Sequence, residues 1–356
     1  MQKQTIVFVI NRLKLGGAQR VAITLAHALQ QAGHDAHIVC FKHSDELCGA
    51  EALNVHYFDR GLAWLPAPLR NRLLAKRLDA FIRARVGEPD LVLSNLSKAN
   101  RVMVHSALRN VRIIVHNTLS LLGEAADMSA ARHWLRNRRI RATYLKKPCI
   151  CVSRGVYDDF VALMPEHFDV TTITNPVDTA QIRSWSQDFT SPYRDYVVHV
   201  GSFIPQKRHD LLLRAYSESG IDESLVLVGS GELEAAIRQQ AQELGIQDKV
   251  LFAGFQSNPY PIIAGAKLLL LTSDYEGLGI VLLESLALGV PAISTDCESG
   301  PAEILPAQNL APVGDAPAMA RLLARAAASP QDFASAVPGQ FESHGIAAAY
   351  LALCHV

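Results

Sequence analysis

Continuous apolar strands alternate with helices along the whole chain, and no other feature constrains the fold as strongly. Residues 5–10 (TIVFVI) predict a strand, Gly16-Gly17 a turn, and residues 18–32 a helix that Gly33 closes. A strand that is apolar along its length is buried on both faces, which is typical of a parallel sheet covered by helices. The first half is therefore expected to be a doubly wound α/β domain. Its further strands are predicted at 36–41, 90–94, 112–116 and 149–152.

The pattern restarts in the second half of the 356 residues, a length that suits two domains of about 180 residues. Asn175-Pro176 and the polar residues 184–195 predict the linker between them. A second doubly wound α/β domain is expected to follow. Its strands are predicted at 196–201, 225–229, 249–253, 267–272 and 291–294, and its helices at 208–219, 232–245, 259–266 and 279–288.

We expect one domain over residues 1–180, a second over 181–340, and a C-terminal helix over 341–356 that returns to the first domain. Ligands of open α/β sheets bind beyond the carboxyl ends of the strands. Two such sheets that face each other would therefore form a binding cleft between the domains.

The net charge is zero, with 34 basic and 34 acidic residues, but the two halves have opposite signs. Residues 1–180 hold 24 basic and 15 acidic residues, whereas 181–356 hold 10 and 19. Eight of the basic residues lie between 128 and 157, where no acidic residue occurs. With Trp134 and Leu135 interleaved, this segment either lies on an anionic bilayer or is a solvated helix face. RNA binding is not favoured, because no aromatic platform or nucleic-acid motif accompanies the charges.

No apolar run reaches the roughly 18 residues of a membrane span, and the N-terminal run of six is too short for a signal sequence. The six cysteines are scattered and mostly lie in apolar segments, so buried free thiols in a reducing cytoplasm are expected. No Asp-x-Asp pair lies at a strand end, so no metal ion is expected. These observations predict a cytoplasmic protein that is soluble or lies on a membrane surface.

The densest group of functional residue types surrounds two glutamates. Glu276 and Glu284 are eight positions apart, with Gly277, Leu278 and Gly279 between them and an apolar helix following. Glu276 would lie at the helix N-terminus and Glu284 two turns inside. The N–H groups of the intervening turn would then face a sugar or phosphate oxygen, and Glu284 would accept hydrogen bonds from a diol such as a ribose. The alternative is a helix cap followed by an exposed side chain.

An ordered series of segments closely resembles the retaining nucleotide-sugar glycosyltransferases of family 4, which have two Rossmann-like domains in the GT-B arrangement. Residues 16–20 (GGAQR) are similar to the family's Gly-Gly-Ala-Glu-Arg turn, with Gln19 in place of the common glutamate. Residues 200–207 (VGSFIPQK) are similar to its donor segment, which ends in a lysine. The resemblance covers nearly the whole chain. Its other pieces are 229–233 (GSGEL), 254–255 (GF), 258–273 (NPYPIIAGAKLLLLTS), 276–284 and 296–305 (DCESGPAEIL).

The resemblance implies that Lys207 neutralises the leaving diphosphate. The arginine that the family usually places a few residues earlier is replaced here by Ser202, so Arg208 or a residue of the first domain would supply a second charge. It also implies that Glu276 holds hydroxyls of the donor sugar and that Glu284 holds the ribose. The amides of the intervening turn would stabilise the developing negative charge.

In the first domain, the resemblance implies that Gly16 and Gly17 lie near the donor phosphate and the acceptor. Glycine there would let the backbone turn sharply and approach a ligand where a side chain would collide. His116 would contact the donor sugar near the reacting centre, without being assigned as a general base, and Asn117 is a small polar residue beside it. Asn175 corresponds to a hinge-side motif of the family. A plain turn and a surface histidine are the structural alternatives.

The strand at 249–253 leads to Gly254 and Phe255, for which the resemblance implies nucleobase recognition. An apolar residue that covers the sheet edge is the alternative. The candidate catalytic residues are His116, Lys207 and Glu276, the donor-binding residues Gly16, Gly17, Ser202, Arg208, Gly254, Phe255, Gly277, Leu278, Gly279 and Glu284, and the acceptor or hinge residues Asn117 and Asn175.

These inferences predict a retaining, metal-independent glycosyltransferase that needs no cofactor. It would move a hexose or N-acetylhexosamine from a UDP-sugar to a glycan or lipid-linked acceptor in cell-surface polysaccharide or glycolipid synthesis. Its expected partners are the nucleotide-sugar donor, that acceptor and an anionic membrane surface contacted through 128–157, with no nucleic acid. The expected location is cytoplasmic, at the inner membrane face.

Three alternatives stay open at this point. A GT-B phosphorylase or a nucleotide-sugar epimerase would share the architecture, and a phosphorylase would depend on inorganic phosphate. A non-catalytic sugar-nucleotide-binding subunit is disfavoured by the presence of Lys207, Glu276 and Glu284. A nicotinamide-dependent oxidoreductase should have Gly-x-Gly-x-x-Gly after the first strand, and Gly16-Gly17 lacks that spacing.

Overall fold

The structure is a computed structural model and consists of two compact units. Unit 1 comprises Met1–Pro176 with Gln340–Val356, and unit 2 comprises Val177–Gly339. The first division thus falls four residues before the expected boundary after residue 180. The residues described are 2–13, 16–43, 49–58, 66–120 and 129–355.

Unit 1 is built on a parallel sheet. Its elements are β1 (Thr5–Ile10), α1 (Gly17–Gln31), β2 (Asp35–Cys40), β3 (Asn54–Tyr57), α2 (Ala67–Arg85), β4 (Leu91–Asn95), α3 (Leu96–Met103), β5 (Val111–Val115), α4 (Ala130–Tyr144), β6 (Cys149–Cys151), α5 (Arg154–Leu163), β7 (Val170–Thr172) and, after unit 2, α13 (Ser343–Ala352). Among the described residues the sheet has seven strands in the order β3-β2-β1-β4-β5-β6-β7, and each neighbouring pair is parallel.

The core of unit 1 lies around β1, whose residues 6–10 are completely buried. The helix α13 packs against α1, and Ile346, Ala347 and Tyr350 join the same core. The short strands β3 and β7 were not predicted. They form the two edges of the sheet, and their residues are exposed or half-buried, so they lack the continuous apolar pattern of a central strand.

Unit 2 contains the second parallel sheet. Its elements are α6 (Thr179–Trp185), β8 (Tyr196–Val200), α7 (His209–Ser219), β9 (Ser224–Val228), α8 (Glu234–Glu243), β10 (Val250–Gly254), α9 (Tyr260–Ala264), β11 (Leu268–Leu271), α10 (Ile280–Ala287), β12 (Ala292–Thr295), α11 (Pro301–Ile304), β13 (Leu310–Ala311) and α12 (Ala316–Ala328). The six strands have the order β10-β9-β8-β11-β12-β13. The prediction of two doubly wound parallel α/β domains is confirmed.

The predicted linker over 184–195 is wrong, because this stretch lies inside unit 2. The preceding helix α6 packs against α9 and α10. Arg183 Nε donates to the carbonyl oxygen of Ala287 at 2.8 Å, and the ring of Trp185 stacks on that of Tyr260. Polar composition predicted a linker here, but these contacts hold the segment to the unit.

Candidate active site

Lys207 and Glu276 form an ion pair at the carboxyl edge of the sheet in unit 2. Lys207 ends a short 3-10 turn after β8, and Glu276 follows β11, which is paired with β8. Lys207 Nζ lies 2.5 Å from Glu276 Oε1, and Ser273 Oγ donates to the same oxygen at 2.6 Å. The two charged side chains are 16% and 10% exposed, so the pair is largely removed from solvent. An ammonium and a carboxylate are thus fixed side by side where parallel sheets bind ligands.

Three further hydrogen bonds connect the loop that carries Lys207 with the loop that carries Glu276. Gln206 Nε2 donates to the carbonyl of Tyr275 at 2.7 Å, and the Gln206 carbonyl accepts from the N–H of Asp274 at 2.9 Å. The hydroxyl of Thr272 donates to the carbonyl of Lys207 at 3.0 Å. These hydrogen bonds hold the two loops to each other.

Arg208 is bound by two carboxylates. Nε and Nη2 donate to Asp210 at 2.9 and 3.0 Å, and Nη1 donates to Asp274 at 2.8 Å. The hydrogen bonds that Arg208 donates to Asp210, together with the one to Asp274, raise the pKa of Arg208 above its usual value. A diphosphate at Arg208 would compete with these two carboxylates, whereas Lys207 has only Glu276 as its ion-pair partner among the described residues.

The turn between the two glutamates leads into α10. Gly279 has φ 80°, a left-handed conformation that suits glycine, and α10 begins at the next residue. Glu284 therefore lies about one turn inside the helix rather than two. The residues of the turn are buried, and the first N–H groups of a helix lack partners within it.

The segment after β12 holds this turn from the other side. Ser299 Oγ donates to the carbonyl of Glu276 at 2.5 Å, and Tyr275 forms a parallel bridge with Glu298. Gly300 has φ 92°, and a Cβ atom there would lie 2.5 Å from the carbonyl oxygen of Leu278. The similarity at 296–305 thus has a structural reason, since only glycine allows this close approach.

Glu284 is buried and held by an aromatic side chain that the sequence did not single out. The hydroxyl of Tyr260 donates to Glu284 Oε1 at 2.8 Å. Tyr260 in turn stacks on Trp185, with ring centroids 5.8 Å apart and an interplanar angle of 5°. The structural alternative of an exposed Glu284 is wrong, because the side chain is held by a buried hydrogen bond.

Two buried histidines lie next to Lys207. His199 and His209 have ring centroids 4.8 Å apart. Within the described part of the chain, both nitrogens of His209 and Nε2 of His199 lack a hydrogen-bond partner. Burial, assisted by the charge of Lys207, lowers the pKa of His209 to about 4. Burial lowers the pKa of His199 as well. Both rings are therefore neutral at pH 7.

The remaining donor-side candidates in unit 2 lie at its surface. Ser202 is exposed, and Phe255 is 37% exposed directly after Gly254, which has φ 67°. The carbonyl of Gly254 accepts from the N–H of Gly229 at 2.9 Å, which fixes the end of β10 to that of β9. Phe255 is therefore held at the sheet edge with its ring available for contact.

In unit 1, the backbone at Gly16 and Gly17 does not have a conformation that requires glycine. Gly16 has φ 167°, an extended conformation open to any residue, and a Cβ atom there would meet the end of the flexible Gln19 side chain. No described atom lies within 4 Å of a Cβ atom at Gly17. The turn itself therefore does not require these glycines.

His116 directly follows β5 and is half-buried. Its Nε2 lies 3.0 Å from Oδ1 of Asn95, the last residue of the neighbouring strand β4. Burial lowers the pKa of His116 to about 4. Asn117 is half-buried beside it, and Asn175 is buried at the end of unit 1, one residue before the division.

The structure thus brings together Lys207 with Glu276 in unit 2, and it places Glu284 on the following helix. Arg208 instead forms ion pairs with Asp210 and Asp274. Sequence reasoning missed the residues that position this group. They are Asn95, Gln206, Tyr260, Ser273, Asp274, Ser299 and Gly300. For Tyr260, Ser273, Ser299 and Gly300, the available signal was that 258–273 and 296–305 belong to the resemblance, although no role was assigned to their individual residues.

Sequence comparisons identify the family. Residues 15–181 match the family described as Glycosyltransferase Family 4, and residues 183–336 match the family described as Glycosyl transferases group 1. Together the two matches span both units. The chain is a family 4-like glycosyltransferase. The predicted membership of glycosyltransferase family 4 is therefore confirmed.

Two curated relatives illustrate the similarity of this transferase. An N-acetylgalactosamine-N,N'-diacetylbacillosaminyl-diphospho-undecaprenol 4-alpha-N-acetylgalactosaminyltransferase of Campylobacter jejuni is 31% identical over 155 residues, which are 43% of this chain and 42% of that protein. The alignment thus spans less than half of that relative. The lipopolysaccharide core biosynthesis glycosyltransferase LpsE of Rhizobium meliloti is 24% identical over an alignment of 372 positions that covers 96% of each chain.

Among solved structures, the transferase resembles Anabaena HepE in complex with UDP and glucose. The TM-score is 0.74 at 19% identity, with 99% of this chain and 97% of that chain covered. At this identity the likeness concerns the fold alone. The two parallel-sheet α/β domains are those of GT-B glycosyltransferases.

The basic segment of the transferase includes α4, while Met128 lies outside the described residues. Trp134 is 63% exposed and Leu135 41% exposed, and the guanidinium of Arg138 lies 5.3 Å from the Trp134 ring centroid. Arg141 instead pairs with Glu166. Across the described ranges, no helix is both long and apolar enough to span a bilayer.

Proposed function

We propose that the chain is a retaining transferase that moves a hexose or N-acetylhexosamine from a UDP-sugar to a glycan or lipid-linked acceptor. The observation that carries the proposal is the ion pair of Lys207 and Glu276 beside the N-terminus of α10, with Glu284 held one turn further along. This arrangement supplies a cation for a diphosphate, a carboxylate for sugar hydroxyls and a second carboxylate for a ribose diol.

In this proposal Lys207 and the turn amides of Gly277, Leu278 and Gly279 stabilise the negative charge that develops on the leaving diphosphate. Such groups favour the transition state because they are already fixed before the reaction. Glu276 orients the donor sugar, and its ion pair keeps Lys207 at the reacting bond. The acceptor attacks from the face that the diphosphate leaves, and a donor phosphate oxygen takes the acceptor proton. No protein nucleophile and no metal ion are required.

The named relatives support the proposed classes of donor and acceptor. The Campylobacter relative is named for transfer to a diphospho-undecaprenol glycan and the Rhizobium relative for lipopolysaccharide core synthesis. The structural neighbour HepE was solved with UDP and glucose. We therefore assign the transferase to lipopolysaccharide or related polysaccharide synthesis, with a UDP-sugar as donor.

The proposal also places the enzyme at the anionic inner face of a membrane. The exposed face of α4 carries arginines beside Trp134 and Leu135. On α2, Leu69 and Leu73 are exposed next to further basic residues. Each basic residue near an anionic bilayer contributes about 1 kcal/mol to the binding free energy. Exposed apolar side chains strengthen binding further when they insert into the bilayer. An enzyme bound to the bilayer in this way would encounter lipid-linked acceptors at the membrane surface.

The test is a thermal-shift panel of UDP, GDP and ADP and their sugars, followed by transfer assays with the donor that binds. A ligand at 100 times its dissociation constant stabilises the folded state by about 2.7 kcal/mol. We expect UDP and one UDP-sugar to stabilise the wild type. The same ligands should stabilise Glu284→Gln by a smaller amount. Stabilisation by GDP or ADP alone would overturn the donor assignment. Turnover that requires inorganic phosphate would replace the transferase by a phosphorylase.

A further inference from the structure

Asn95 occupies a helix-capping position, yet its side chain does not cap the helix. It is the N-cap of α3, where asparagine is preferred because its side-chain oxygen accepts from the N–H groups of the first turn. Here the side chain makes no such bond. Instead Nδ2 donates to the carbonyl of Leu93 at 3.0 Å, and Oδ1 lies 3.0 Å from Nε2 of His116. The side chain, 1% exposed, is thus turned toward His116.

The backbone next to Asn95 is strained. Leu96 has φ 70°, in the left-handed region that costs a non-glycine residue about 1–2 kcal/mol. No residue separates β4 from α3, so the chain turns from strand to helix at this position. Strain of this kind persists only where the surrounding structure holds it, and it concentrates at functional sites. The tight turn keeps Asn95 at the strand end, beside His116 on β5.

The hydrogen bonds determine the tautomer of His116. A carbonyl oxygen only accepts, so the Asn95 atom that faces Leu93 is Nδ2, and Oδ1 faces the histidine. Because Oδ1 also only accepts, Nε2 of His116 must carry a hydrogen. Burial lowers the pKa of the ring to about 4, so the ring is neutral at pH 7 and has one N–H. Nδ1 therefore carries a lone pair.

We propose that Asn95 is a positioning residue that holds His116 in the Nε2–H tautomer, so that Nδ1 accepts a hydrogen bond from a hydroxyl of the donor sugar. The inference rests on the proposed function, because it needs a donor sugar at His116. A hydroxyl that donates to Nδ1 keeps its own lone pairs for other groups. The opposite tautomer would reverse this contact and turn the hydroxyl into an acceptor.

The experiment measures the tautomer and the kinetics separately. Histidine labelled with ¹⁵N distinguishes a protonated from an unprotonated ring nitrogen, and His116→Gln identifies the resonances of His116. We expect wild type to show only the Nε2–H form at pH 7. Asn95→Ala should give a mixture of tautomers and about a tenfold lower kcat, the loss expected for one hydrogen bond.

Asn95→Asp is the second variant and preserves the shape of the side chain. Its carboxylate accepts from Nε2–H and also stabilises a protonated ring, so the pKa of His116 should rise toward neutrality. Because protonation blocks Nδ1, kcat should then increase with pH between 6 and 8, whereas wild type should stay flat. A purely structural role of Asn95 would not change this pH profile.

Ser94→Ala serves as the matched control. It removes a buried hydrogen bond of 2.8 Å to Asn100 from the neighbouring residue, without touching His116. It should lower stability but leave the tautomer and the pH profile unchanged. A pure Nε2–H form in Asn95→Ala, or a pH profile of Asn95→Asp identical to wild type, would overturn the inference. An inactive wild type with the expected tautomer would instead count against the proposed function alone.

Discussion

Lys207 Nζ and Glu276 Oε1 lie 2.5 Å apart although the two residues are 69 positions apart in the chain. Parallel pairing of β8 with β11 brings their loops together, and Ser273 fixes the shared carboxylate oxygen. In the proposed mechanism each member of the pair serves a different part of the donor. Removing one member therefore affects catalysis and also leaves the other without its ion-pair partner.

Lys207→Ala should lower kcat at least about a hundredfold, which corresponds to about 2.7 kcal/mol, because it removes the charge that faces the leaving diphosphate. Steady-state kinetics with the donor checks this. Lys267→Ala is the control, since it breaks an ion pair with Glu223 elsewhere in unit 2. Turnover of Lys207→Ala close to that of the control would remove Lys207 from the mechanism.

Glu276→Gln should lower turnover more than it weakens UDP binding.

Tyr260→Phe should weaken UDP binding about tenfold, or 1.4 kcal/mol, because Glu284 loses the hydroxyl that orients it. Isothermal titration with UDP measures the loss, and Glu284→Gln should weaken binding at least as much. The control is Tyr216→Phe, which removes a 2.7 Å hydrogen bond to the Glu223 carbonyl. If Tyr260→Phe binds UDP like wild type while Glu284→Gln does not, the hydroxyl of Tyr260 has no part in UDP binding and the ring has only a packing role.

Gly300→Ala should destabilise unit 2 by at least about 2 kcal/mol and reduce donor turnover. The added Cβ atom would collide with the backbone of Leu278 and also strain a left-handed φ. Gly314 also has a positive φ, at 79°, but no atom of the described residues lies within 4 Å of a Cβ atom added there. Gly314→Ala therefore measures the backbone strain without the collision. Urea unfolding and kinetics of both variants make the comparison. Equal effects would mean that contact with Leu278 is unimportant.

Stability should fall as the pH decreases from about 6.5 to about 4. The folded-state pKa of His209 is about 4, below the ordinary value near 6.5, so the unfolded chain takes up a proton that the folded one does not. His209→Gln should remove a contribution on the order of 3 kcal/mol from this pH dependence. Urea unfolding at several pH values tests it, with exposed His344→Gln as control. An unchanged slope in His209→Gln would contradict the assignment.

Replacing Arg132, Arg138 and Arg139 with Ser should release the enzyme from anionic liposomes at low salt, because all three are exposed on α4. Wild-type binding should weaken with salt, since the Debye length falls from about 10 Å at 0.1 M to about 3 Å at 1 M. Liposome co-sedimentation measures both effects. Activity on a water-soluble acceptor should persist.

The control for this experiment is a triple substitution with the same change in charge on unit 2, at Arg194, Arg214 and Arg321, which are also exposed. It should bind liposomes like wild type. If wild type ignores anionic liposomes at low salt, the membrane assignment falls and the transferase assignment stands.

Much of the fold and the identity of several candidate residues followed from the sequence. Central strands such as β1 and β11 are apolar at almost every position because helices cover both faces, and that pattern is local. The division after Asn175-Pro176 also followed, but the edge strands β3 and β7 and the inclusion of 184–195 in unit 2 did not. Edge strands are half-exposed, and α6 is held to unit 2 by Trp185 and Arg183 through contacts with residues far along the chain.

The sequence by itself determined the alternation of strands and helices, the family, and the presence of Lys207, Glu276 and Glu284. Only the tertiary structure decided their partners. In the folded chain, Lys207 pairs with Glu276, Arg208 is bound by two carboxylates, and the hydroxyl of Tyr260 donates to Glu284. The reason is physical: local patterns reflect burial along one element, whereas side chains at the carboxyl ends of strands meet according to the order of strands in the sheet.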